Sequence, residues 1–140
     1  MSNLRVLAVD PGEKRIGVAI SDPSGTIANP LTVIKHVSRR VDAAQIAGLA
    51  QENNAVEIVV GQALDDDGNQ TPASRHAAKL AEAIQTQSDL PVSLWDESDS
   101  TNEAVAAKVA LGVSRSKRGG HQDALAATVI LQSFLDANSH

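Results

Sequence analysis

The sequence predicts a single α/β domain, residues 1–140, built on a mixed five-stranded sheet with helices on its faces. The element pattern is the first reason. Three β-rich apolar runs at the amino end are joined by tight turns, and strand and helix alternate thereafter, so the early strands should pair antiparallel and the later ones parallel. Composition is the second. Hydrophobic residues make up 42% and aromatics only 1%, so Ala, Val, Ile and Leu do the packing, as suits helices laid on a β-branched sheet. A chain of 140 residues is the length of one domain with a sizeable core.

Strands are expected over 4–10, 15–22 and 26–34, with turns at Pro11-Gly12 and Pro23-Ser24-Gly25. The spacing of Val41, Ala44, Ile46, Leu49 and Ala50 predicts a helix over 39–53. Val56 to Val60 reads as a short buried strand ending at Gly61, and the loop Asp65-Asp66-Asp67-Gly68-Asn69 leads to a helix from Pro72 to Thr86. Another strand covers 91–95. Ser100 and Glu103 form a capping box for a helix that stops at Gly112. A basic loop from Ser114 to Gly120 precedes a final apolar helix over 122–136.

With no Cys, disulfide frameworks, thiolate zinc sites and cysteine nucleophiles are excluded. No apolar run approaches the roughly 20 residues of a membrane span, and the amino end has no apolar signal core. A soluble cytoplasmic protein without a membrane partner is expected. The net charge of −5 argues against a general nucleic-acid coat, but it is unevenly spread. Residues 1–40 hold six basic and three acidic side chains, residues 41–112 three and twelve, and residues 113–140 three and two. The basic ends supply Lys14, Arg15, Lys35, Arg39, Arg40, Arg115, Lys117 and Arg118. If the two ends meet in the fold, these make a cationic rim beside the acids with the acidic middle of the chain turned away; taken singly, each reads as a solvated surface charge.

Three acids stand at element ends. Asp10 closes the first strand before Pro11-Gly12, Asp96-Glu97 closes the strand at 91–95, and Asp123 opens the last helix. Open α/β sheets place ligand chemistry at the carboxyl ends of their strands. Convergent carboxylates are the oxygen ligands that hard cations such as Mg²⁺ take, and a metal pair about 4 Å apart can activate water for phosphodiester cleavage. Asp123 shares a helix face with Ala127, Ile130 and Phe134, where an unpartnered charge is costly. The alternative is that Asp10 is a solvated turn residue and the others complement helix starts.

Other motifs fail. Gly12 and Gly17 have P-loop spacing, but Val18-Ala19 stands where Lys-Ser/Thr is required. The loop at Asp65 lacks the first and twelfth ligands of a calcium loop. Of the histidines, 36, 76, 121 and 140, none has zinc-site spacing, and only His121, two residues before Asp123, is placed to face a cleft.

Several segments resemble the YqgF-type family, described as Holliday-junction-resolvase-like or pre-16S ribosomal RNA nucleases, with a ribonuclease H-like fold. They are Ala8-Val9-Asp10-Pro11-Gly12-Glu13-Lys14-Arg15-Ile16-Gly17-Val18-Ala19-Ile20-Ser21-Asp22, Asp96-Glu97 with Ser100-Thr101, and Asp123-Ala124-Leu125-Ala126-Ala127 leading into Ile130-Leu131-Gln132-Ser133-Phe134-Leu135. They span nearly the whole chain in the family's order. The resemblance implies a ribonuclease H-like domain in which Asp10, Glu97 and Asp123 are metal-binding catalytic acids, and in which Lys14 and Arg15 lie near the nucleic-acid backbone. It also departs from the family: Gly61-Gln62-Ala63 replaces Gly, an apolar residue and Pro, and Ser98-Asp99 replaces Arg and an apolar residue. Losing that Arg removes a bidentate phosphate contact, and Asp99 becomes a further candidate ligand.

The expected function is an Mg²⁺- or Mn²⁺-dependent endonuclease acting on structured nucleic acid. Precursor ribosomal RNA is favoured over DNA junctions, and the ribosome is open as a partner. Asp10 would bridge both metals, with Glu97 on one and Asp123 on the other, and Arg115, Lys117 and Arg118 would join Lys14 and Arg15 in holding the backbone. Holliday junction resolution, a non-catalytic ribosome- or transcription-associated binding module, and an ATPase of the actin and sugar-kinase type are the alternatives. The last needs two such domains around a nucleotide. Monomer and homodimer are both open.

Overall fold

The computed structural model describes residues 3–96 and 122–138, without the side chains of Gln122 and Asp123. The strands are β1 (Val6–Pro11), β2 (Arg15–Ser21), β3 (Ala28–Lys35), β4 (Glu57–Gln62) and β5 (Val92–Asp96). The helices are α1 (Arg39–Glu52), α2 (Pro72–Gln87) and α3 (Gln122–Asn138). Each matches an expected element to within about two residues at its ends. The helix expected to end at Gly112 and the basic loop after it lie outside the described residues.

The five strands lie in the order β3-β2-β1-β4-β5. β2 is antiparallel to β1 and β3, while β4 is parallel to β1 and to β5. The sheet is therefore mixed, as hairpins followed by helical crossovers require. Gly12 tightens the first hairpin: its N–H donates to the Arg15 carbonyl at 3.1 Å, and a Cβ there would stand 2.3 Å from that oxygen. No side chain fits.

Period-two alternation splits the strands between two cores. Leu7, Val9, Ile16, Val18, Ile58 and Val60 meet Ile46 of α1 and Leu80 and Ile84 of α2 on one face. Val6, Ala8, Ala19, Ala28 and Val59 meet Ala127, Leu131 and Leu135 of α3 on the other. Ser38 caps α1, and N-cap Thr71 and Ser74 in the first turn form a capping box that spans Pro72 at the start of α2. The buried side of α1 differs from expectation. Val41 and Ala44 are exposed, while Asp42 is buried because it has polar partners described below.

Two polar clips hold α3. Gln132, 2% exposed, accepts from the Ala28 N–H at 3.0 Å and donates to the Thr26 carbonyl at 2.9 Å. At the other side of the helix, the Trp95 indole N–H donates to Ser133 Oγ at 3.2 Å, and its ring meets Phe134 edge-on with centroids 5.4 Å apart.

Candidate nucleic-acid site at the carboxyl edge of the sheet

Strand directions decide what meets at this edge. β1, β3, β4 and β5 all end there, and the β1–β2 turn lies on it. Read in spatial order, the edge carries Lys35 at the end of β3, Lys14 and Arg15 at the hairpin turn, Asp10 on β1, Gln62 on β4 and Asp96 on β5. Lys35, Lys14 and Arg15 cluster toward β3, with Glu13 among them, while Asp10 and Asp96 lie toward β5.

Asp10 follows Val6 and Ala8 on the face covered by α3, and it is half-buried. Its register partner across the hairpin is Gly17, which contributes no side chain. A cleft of about 420 Å³ opens there, lined by Asp10, Gly12, Glu13, Lys14, Arg15, Gly17 and Ala126. Its small residues leave room beside the Asp10 carboxylate. Ala126 belongs to the first turns of α3, so the amino end of that helix, with its positive dipole, overhangs Asp10.

Asp96 stands on the same edge. Register links Val9 to Val60 and Val60 to Leu94, so β5 lies two strand spacings, about 9–10 Å, from β1. Glu97 is the next residue in sequence. Asp123 lies in the first turn of α3, one turn before the buried Ala127. Asp10, Lys14 and Arg15 thus line one cleft, and the backbone brings residue 123 and the end of β5 to its edge. Glu97, Asp99, Arg115, Lys117, Arg118 and His121 lie outside the described residues, as does the Asp123 side chain. Among the described residues no group of three or more potential metal ligands assembles.

One expectation is corrected by the topology. The acidic middle of the chain does not all turn away: because β4 is parallel to β1, the loop from Ala63 to Thr71 leaves the sheet at the same edge as Asp10. Asp65, Asp66 and Asp67 are exposed there, and Asp65 Oδ1 accepts from the N–H groups of Asp67 and Asn69 at 3.0 and 2.7 Å. It is a self-closed Asx turn.

Sequence reasoning passed over His36 and Asp42. Asp42 is 1% exposed and accepts a short hydrogen bond from His36 Nδ1 and another from the Val37 N–H at 3.0 Å. A His six residues before an Asp carries no recognised motif. The pairing exists because the chain turns from β3 into α1.

A five-stranded mixed sheet sandwiched by helices, with a carboxylate on its central strand, defines the class: a ribonuclease H-like fold of the kind found in junction-resolving nucleases. Among solved structures, Thermus thermophilus RuvC in complex with a Holliday junction substrate aligns over 96% of both chains with a TM-score of 0.63 at 18% identity. The fowlpox virus Holliday junction resolvase aligns with a TM-score of 0.56 over 96% of this chain and 99% of that one, at 13% identity. Sequence narrows the class to a family. Residues 4–137 match RuvX, described as Holliday junction resolvase, and the chain belongs to that family. A protein of Syntrophus aciditrophicus named "Putative pre-16S rRNA nuclease" is 40% identical over 97% of this chain and 91% of its own length. One of the same name from Thermoanaerobacter pseudethanolicus is 37% identical over 98% and 99%. No described helix is long and apolar enough to cross a membrane.

Proposed function

We propose that this chain is a divalent-metal-dependent endonuclease of structured nucleic acid, with precursor ribosomal RNA as its substrate. The observation that carries the reading is the half-buried Asp10 on the central strand, facing α3 above a cleft floored by Gly17 and flanked by Lys14 and Arg15. Full-length relatives named for the pre-16S RNA activity support the substrate. Holliday junction resolution is the second reading, favoured by the family description.

The donor set fits a hard cation: a carboxylate with open space beside it, at an edge where a second strand ends in Asp96 and Glu97 follows. Asp10, Glu97 and Asp123 are the residues that would hold Mg²⁺ or Mn²⁺. Bound there, the ion would supply Lewis acidity and an activated water for hydrolysis at phosphorus. The chain's own part is positioning. Lys14 and Arg15 hold the phosphate backbone against the cleft, and the α3 amino end adds positive potential where charge develops. Gly12 keeps the turn tight enough for those cations to stay beside Asp10.

Cleavage of labelled precursor ribosomal RNA and of four-way DNA junctions, side by side with Mn²⁺ or EDTA, tests the proposal. Metal-dependent cutting of the RNA is the expected result. Junction cutting alone would favour the second reading, and no cutting of either would overturn both.

A further inference from the structure

The cations at the β3 end of the edge line a second hollow, which shares Glu13, Lys14 and Arg15 with the cleft beside Asp10 and extends from them toward β3. Glu13, Lys14, Arg15, Val33, Lys35 and His36 line a space of about 600 Å³. Its His36 wall is fixed from within the fold. Buried Asp42 holds Nδ1 of the ring, and Asp42 is itself held by the Val37 N–H. With Nδ1 turned inward and the side chain 33% exposed, the Nε2 edge is what the ring presents outward. His76 of α2 meets the ring edge-on, with centroids 6.4 Å apart.

The charges around His36 come from every element packed there. Among the described residues they are Glu13 and Lys14 from the β1–β2 turn, Arg15 at the start of β2, Lys35 from β3, Arg39 and Asp42 from α1, and His76 from α2. Burial, then the neighbouring Arg39 and His36, push the His76 imidazole below its ordinary value. At neutral pH His76 therefore adds no charge beside the hollow. Among the described residues, Glu13 is the one carboxylate lining the hollow, against Lys14, Arg15 and Lys35.

We infer that this hollow is a phosphate site for the bound nucleic acid, in which Lys14 and Lys35 supply charge and the His36 imidazolium donates Nε2–H to the phosphate while Nδ1–H donates to Asp42. β3 lies two strand spacings from β1, about 9–10 Å, so the contact falls on a backbone phosphate beside the cleft rather than on the bond cut at Asp10. Asp42 is the positioning residue. The identity of the anion as nucleic acid rests on the nuclease reading, while the anion site itself does not.

The test uses protein carrying Asp10→Asn, so that binding is read without cleavage. Anisotropy titrations of labelled RNA across salt should show the log–log slope falling by roughly 1.4–1.8 when Lys35→Gln and His36→Gln are combined, as for two lost phosphate contacts. If the double variant fails to fold, Lys35→Gln alone should lower the slope by roughly 0.7–0.9. An unchanged slope in a protein that binds RNA overturns the phosphate site and leaves the nuclease reading standing. If the Asp10→Asn protein binds no nucleic acid, the nuclease reading falls, and a titration with inorganic pyrophosphate followed on the His36 ring proton resonance decides the anion site. Movement in the otherwise wild-type chain and none with Lys35→Gln supports it; no movement in either overturns it.

Discussion

The two faces of the sheet are built from different residues. Under α1 and α2 lie Leu7, Val9, Ile16, Val18, Ile58 and Val60, fully buried and large. Between the other face and α3 lie Ala8, Ala19 and Ala28 of the sheet and Ala127 of the helix, with the helix's own Thr128, Gln132 and Ser133 also buried. The first face gathers apolar area, and burial of that area is the main source of stability. The second is thinner and depends on directed hydrogen bonds to fix its helix. Asp10 points to the second face, as its alternation with Val6 and Ala8 dictates. Small residues there let α3 approach the sheet closely enough for Ala126 to line the cleft with Asp10. On the proposed function, the division separates what holds the fold from what would carry the chemistry.

The sharpest test of that separation is Asp10→Asn. Cleavage should fall by about 10³-fold or more, the scale on which a group acting in the transition state is lost. Stability should stay flat or rise slightly, since one carboxylate leaves an acidic edge. If the three acids hold metal, the thermal midpoint of the wild-type chain should rise with Mn²⁺ by mass action, and that rise should shrink in the variant. Near wild-type turnover in the variant, or melts identical in EDTA and saturating Mn²⁺, would break the assignment.

The opposite face should answer in the opposite way. Leu80, 1% exposed, sits in the large aliphatic core. Leu80→Ala should destabilise by about 2–5 kcal/mol, read from denaturant midpoints, while cleavage per folded molecule is retained. Leu135→Ala on the α3 face, 5% exposed, should lie at the low end of that range. Equal losses at the two positions would mean that the faces are not energetically distinct.

Much of this was legible in the chain. Strand and helix bounds followed from alternation and caps, because Val and Ile runs with Pro-Gly turns leave few other structures open. Asp10 was legible for the same reason: a strand ending on Asp-Pro-Gly has little freedom in where it puts its carboxylate. Strand order was not. The hairpins read as neighbours, but only the parallel register of β4 on β1 shows that the Asp65–Asp67 loop shares the edge with Asp10. The His36–Asp42 pair and the Gln132 clip were also hidden. The first depends on the path from β3 into α1, and the second joins residues 104 apart in sequence. Periodicity records which face a residue takes and is silent on its polar partners.

The Gln132 clip probes the thin face directly. Its amide satisfies the buried Ala28 N–H and the Thr26 carbonyl at once. Gln132→Leu keeps the volume roughly and removes both bonds, leaving the Ala28 N–H unsatisfied. A loss of about 1–3 kcal/mol is expected, the desolvation penalty of an orphaned buried group. Loosening α3 should also slow cleavage if Asp123, which rides on that helix, is a ligand as proposed. A stability loss with unchanged rate would show that the carboxyl end of α3 does not influence its amino end.

The smallest expected effect lies at the edge opposite the site, in the β2–β3 turn. Desolvation by itself pushes the Asp22 carboxyl up, but hydrogen bonds from Ser24 Oγ, from the N–H groups of Ile27 and Thr26, and from the Thr26 hydroxyl together outweigh it and hold the group down at about 2. Those two N–H bonds measure 3.0 and 2.9 Å. A folded-state value below the ordinary 3.8 means that the unfolded chain takes up the proton first. The contribution is therefore fully present above the unfolded value and is lost as pH falls toward 2. The carboxylate is partly open to water, which screens it, so the effect is modest. Asp22→Asn can still accept from the backbone but carries no charge. Its thermal midpoint should lie below that of the wild type at pH 6, and the gap should close between pH 4 and pH 2, while cleavage at neutral pH is unaffected. A gap that stays constant across that range would mean the turn is held by its backbone geometry and not by the carboxylate's charge.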